Sequence, residues 1–179
     1  MEAAIANTVT PWRKMLSVIG GKFSEFFMKI SQTQVIDSQE LAVESGTAVY
    51  PKQIVEVLDE NKDIKAISVI HNESSTGIAA PIEEIGKVMK NYDSLYIIET
   101  VSSLAEDYVD VEKFGIDVSV TRSQKCLAAP PGMAAITLSD YAWKAFDNVE
   151  TNIYYLDLKQ KEKVETKTCL KLLILHPFH

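Results

Sequence analysis

The run Tyr96-Ile97-Ile98-Glu99-Thr100-Val101-Ser102-Ser103 is followed, after a bridge, by Val120-Thr121-Arg122-Ser123-Gln124-Lys125 and then by Ala129-Pro130-Pro131-Gly132. Two apolar runs each end in a polar cluster. Two strands would therefore deliver a carboxylate, Glu99, and an amine, Lys125, to one edge of a sheet. Open α/β sheets bind ligands at the carboxyl ends of their strands. A lysine there, with an acid nearby, is the arrangement a Schiff-base cofactor needs.

Strand and helix signals alternate outward from this stretch. The first residues favour helix, and Thr10-Pro11 breaks it. Lys14 to Ile19 reads as a strand, and Gly20-Gly21 turns the chain into a helix whose Phe23, Phe26, Phe27 and Ile30 form a stripe. Phe26 and Phe27 are expected in the core. Thr33 to Ile36 is a short strand candidate, and Asp37 to Ala48 reads as polar and turn-rich. Pro51 opens a helix through Ile54, Val55 and Leu58. Ile64 to Ile70 is a buried strand, and His71 to Gly77 a polar loop. Pro81 opens the next helix, with Ile82, Ile85, Val88 and Met89 on one face. Leu95 to Ile98, Ile116 to Val120 and Ala134 to Leu138 are strands, and Ser139 caps a helix through Trp143 and Phe146. This alternation predicts βαβ units and a mainly parallel sheet with helices on both faces.

A length of 179 residues suits one well-buried domain. The formal net charge of -7 argues against nucleic acid or an anionic membrane surface as partner. Cys126 and Cys169 have neither metal spacing nor a disulfide framework, so no metal is expected. With no signal-peptide pattern and no apolar run of transmembrane length, the chain is expected to be soluble and cytoplasmic. Beyond Tyr154 the pattern decays into a charged run from Lys159 to Lys167.

Three motifs, in order and on consecutive strand ends, carry a resemblance: His71-Asn72-Glu73-Ser74-Ser75-Thr76-Gly77, Glu99-Thr100-Val101-Ser102-Ser103, and Ser123-Gln124-Lys125 with Pro130-Pro131-Gly132. They resemble the class V aminotransferases that depend on pyridoxal 5'-phosphate (PLP), nearest to the serine–pyruvate and alanine–glyoxylate branch. The resemblance implies a mixed, mostly parallel α/β sheet flanked by helices, the fold type I large domain. Residues 1–160 would form its central part and 161–179 a divergent tail, with the small domain absent. It further implies small amino acid and 2-oxo acid substrates, and a homodimer.

Carried over by residue, the resemblance makes Lys125 the lysine that binds PLP covalently and then moves the proton. Apolar runs on both sides give it a buried setting, and burial near a cation lowers a lysine pKa. Glu99 stands where the family has an aspartate facing the pyridine nitrogen, which keeps the ring an electron sink. Val101 matches the residue packed under the ring, and Ser74 and Gln124 match polar groups around its hydroxyl or phosphate. Phe23 matches the stacking aromatic. His71 and Cys126 read as packing or loop residues.

The departures bear on function. Glutamate for aspartate adds a methylene, and a misplacement of about 1 Å can cost on the order of a hundredfold in rate. Arg122 replaces a glycine beside Ser123 and is expected to crowd the site or shift a pKa. The family's phosphate loop before the first helix and its substrate-binding small domain are not matched. From Thr168 the resemblance stops abruptly, as a shifted reading frame would make it do. Two readings stay open: an aminotransferase, and a truncated, non-catalytic copy of one. Gln124 argues against a cysteine desulfurase, which has His-Lys there. The absence of a complete glycine-rich phosphate motif argues against a plain nucleotide-binding domain.

Overall fold

A computed structural model describes residues 1–149, 153–158 and 171–175. The charged run and Thr168 lie outside the described residues. In chain order the elements are α1 (Glu2–Thr8), β1 (Lys14–Ile19), α2 (Ser24–Thr33), β2 (Asp37–Ala42), α3 (Pro51–Glu60) and β3 (Ile64–Ile70). A small hairpin, β4 (Asn72–Glu73) and β5 (Ile78–Ala79), precedes α4 (Ile82–Met89) and β6 (Leu95–Glu99). After them come β7 (Val118–Arg122), β8 (Ala134–Leu138), α5 (Asp140–Asp147) and β9 (Lys171–Leu175).

Among the described residues, seven strands form one sheet in the order β2-β1-β3-β6-β7-β8-β9. The first five run parallel, and the β7–β8 and β8–β9 pairs are antiparallel. This is the mixed, mostly parallel sheet flanked by helices that the alternation implies.

The central strands are apolar on both faces because helices cover both. Leu95 and Ile97 join one core with Phe27 of α2 and Phe146 of α5. Tyr96 and Ile98 join the other with Ile54 of α3 and Ile85 of α4. Each buried Ile or Leu contributes roughly 1.5–3 kcal/mol. A one-residue slip of β6 would exchange the two sets and move Glu99 to the opposite face. The register that holds the site is therefore set by the core. Asp117 fixes the other end of the sheet: its carboxylate accepts the Tyr96 N–H at 2.9 Å and the Ser139 hydroxyl at 2.7 Å.

Three local expectations change. Thr33 belongs to the end of α2, and Val35 sits in a turn at φ 58, so the strand is Asp37–Ala42 instead. As the sheet's edge strand it leaves its polar side chains partly or fully exposed, while its register with β1 is continuous over all six residues. His71 to Gly77 is more than a loop: it includes β4 and the turn that folds β5 back on it. Ile116 is buried in the turn before β7, which starts two residues later than the apolar run suggests.

Candidate active site

Side chains alternate along β6, so Glu99 follows Leu95 and Ile97 on the face that carries α1, α2 and α5. An acid therefore ends an apolar row, and it is only 7% exposed. Burial raises its pKa to about 7, against the pull of the Val101 N–H, the Met1 amine and Arg122.

A cavity of about 400 Å³ opens over this end of the sheet. Glu99, Val101, Gln124 and Lys125 line it, as do Arg122 and Thr121. Phe23 and Phe26, from the start of α2, form the aromatic wall, their ring centroids 6.2 Å apart. Five of the six residues singled out from the sequence thus face one space. Ser74 does not line it: its hydroxyl donates to the Ser102 hydroxyl at 2.9 Å and ties the β4–β5 hairpin to the loop after β6.

Two expectations about burial are corrected. Phe26 is 42% exposed, because it faces the cavity while Phe27 takes the core position. Lys125 is exposed rather than buried. It sits three residues beyond the end of β7, in the turn that follows the buried part of the strand.

That turn is held by a residue the sequence reading used only as part of a motif. Ser123 is buried, and its hydroxyl donates to the Pro130 carbonyl at 2.7 Å and accepts the Met133 N–H at 3.4 Å. Its backbone bonds Met133 and Ala129 at 3.1 and 3.0 Å. The loop from Gln124 to Gly132 is closed at its base by this one serine. Thr100 acts similarly beside Glu99, its N–H meeting the Val120 carbonyl at 2.8 Å. Both were visible as hydroxyl residues at strand ends, but a sequence does not show which carbonyl a hydroxyl reaches.

The arrangement has a buried acid at its floor, an amine and a guanidinium at its rim, and a flat aromatic wall. It suits a planar ring with a basic nitrogen at one side and an amine-reactive or anionic group at the other. These residues fit PLP: Glu99 is a buried carboxylate lining the cavity, and among the described residues it takes part in no salt bridge that would compete with a ring nitrogen. Among the described residues no group of three His, Cys, Asp or Glu could hold a metal ion, and no helix is long and apolar enough to cross a membrane.

The family model for aminotransferase class-V matches residues 24–167. An uncharacterized aminotransferase of Methanocaldococcus jannaschii is 48% identical over 164 residues, 91% of this chain and 43% of the relative. A serine–glyoxylate aminotransferase of Methylorubrum extorquens is 32% identical over 148 residues, 80% of this chain and 37% of that protein. The crystal structure of an alanine–glyoxylate aminotransferase from Nostoc superposes with a TM-score of 0.87 at 25% identity, covering 91% of this chain and 44% of the other. The chain thus spans less than half the length of these relatives.

Proposed function

This chain belongs to the class-V aminotransferases, and from that premise we propose that its cavity holds PLP and serves transfer of an amino group between a small amino acid and a 2-oxo acid. Alanine or serine is the donor, and glyoxylate or pyruvate the acceptor. Bound PLP supplies an electron sink for the carbanion formed at the donor's α-carbon.

The residues have distinct tasks in this reading. Lys125 provides the covalent attachment and moves the proton. Glu99 holds the ring nitrogen protonated, and Val101 packs beneath the ring. Phe23 stacks on the opposite face. Gln124 is assigned to the ring's polar substituents, whereas Ser74, outside the cavity, ties the hairpin to the loop after β6. A second copy of the chain completes the assembly, as in a homodimer. The observation that carries the proposal is that Glu99, Lys125 and Phe23 face one cavity although they come from three separate parts of the chain.

The exposure of Lys125 and the longer acid at position 99 favour a second reading, in which the chain takes up PLP without turning over substrate. Visible absorbance after mixing with PLP tests the first claim, with Lys125→Ala as control. Identical spectra of the two proteins would remove cofactor binding. An assay with alanine and glyoxylate then separates the two readings. Pyruvate formation supports transamination; a Lys125-dependent spectrum without pyruvate supports the second.

A further inference from the structure

Glu73 lies outside the cavity, yet it is the best-satisfied acid near it. It is buried in the β4–β5 hairpin, and its carboxylate faces the first turn of α2. Oε2 accepts the Ser24 N–H at 2.9 Å, and Oε1 accepts the Phe23 N–H at 3.3 Å. Oε1 also accepts the Ser75 hydroxyl at 2.6 Å and the Ser75 N–H at 3.2 Å. Ser75 in turn accepts the Lys22 N–H at 2.9 Å. The first helical N–H groups have no partner within their own helix, and a carboxylate is the acceptor best suited to them.

The fit is close enough to dictate a glycine. A Cβ at Gly21 would stand 2.5 Å from the Ser75 Oγ and 2.6 Å from the Glu73 Cγ. Ser24, buried behind this contact, accepts the N–H groups of Gly20 and Gly21, both at 3.0 Å. The chain from Gly20 to Ser24 is thereby fixed to the hairpin, and Phe23, whose N–H is one of the bonded groups, stands on the cavity wall.

We infer that Glu73 is a positioning residue: it fixes the Phe23–Phe26 wall of the cavity by holding the first turn of α2 through a distant hairpin. Its bearing on a cofactor rests on the PLP reading above. A glutamine at position 73 keeps the shape but turns one acceptor oxygen into a donor, so it cannot serve both the Ser24 and the Phe23 side.

The test compares the unsubstituted chain with Glu73→Gln and Gly21→Ala. Amide hydrogen exchange is read without cofactor, and PLP titration is followed by absorbance and induced circular dichroism. In both variants exchange at Phe23 and Ser24 should quicken about tenfold or more, with β3 and β6 unchanged. PLP affinity should fall about tenfold and the induced dichroism weaken, while the Lys125-dependent band still forms at saturation. Unchanged exchange at Phe23 and Ser24 would overturn the inference. So would exchange that quickens equally throughout the chain, since Glu73 would then serve the fold as a whole. A failure of the unsubstituted chain to give a Lys125-dependent band would overturn the PLP reading alone, leaving the exchange result to decide the role of Glu73.

Discussion

Glu99 and Arg122 share one face of the sheet above the same cavity. Glu99 pairs with Val120 across the β6–β7 register, and Arg122 lies two residues beyond Val120 on the same strand. With a side-chain period of two, Val120 and Arg122 point the same way. A guanidinium therefore stands near a buried acid, and its charge acts to hold Glu99 ionised.

Glu99 should make the cofactor-free protein less stable as pH rises. Its folded pKa of about 7 lies above the unfolded value of 4.5. Its contribution is thus fully present below pH 4.5 and lost as pH rises through 7. Glu99→Gln removes this dependence. Urea denaturation at pH 5 and pH 8 should show the unsubstituted chain losing up to about 3 kcal/mol more than the variant. Equal losses would mean that Glu99 titrates normally.

Arg122→Gly should move the Glu99 midpoint further upward. Removing the cation leaves burial less opposed. Titration of the Glu99 carboxyl carbon by NMR reads this directly, and an unchanged midpoint would show that the two groups do not interact.

Ser123→Ala should loosen the loop that carries Lys125. It deletes the bonds to Pro130 and Met133, at a cost of about 1 kcal/mol. Limited proteolysis should cut between Gln124 and Gly132 faster in the variant, with other sites unaffected.

Ser139→Ala should cost about 1–2 kcal/mol. The Ser139 hydroxyl accepts the Ala142 N–H at 3.1 Å and donates to Asp117 at 2.7 Å, so the change uncaps α5 and leaves a half-buried carboxylate short of a donor. Thermal denaturation measures it.

Ser139 illustrates what the sequence makes legible. Its cap is a local pattern, as are Pro51 at the first turn of α3 and the apolar runs of β3, β6 and β8. Those features follow from a few neighbouring residues, and they place Glu99 at a strand end. Asp37–Ala42 was not legible, because an edge strand needs no apolar face and its residues resemble a loop. Phe26 could not be told from Phe27 by spacing, since adjacent helical positions divide between core and cavity only once α2 has docked. The exposure of Lys125 depends on where β7 stops. The role of Glu73 depends on a contact across 49 residues of sequence.

The covalent claim for Lys125 can be tested most directly by incubating the chain with PLP, reducing with borohydride, and locating the pyridoxyl group by peptide mass spectrometry. A group concentrated on Lys125, and lost in Glu99→Ala at the same PLP concentration, is expected from a site in which acid and amine grip one ring. Labelling spread over exposed lysines such as Lys52 and Lys62, with Lys125 no more reactive than they are, would contradict it.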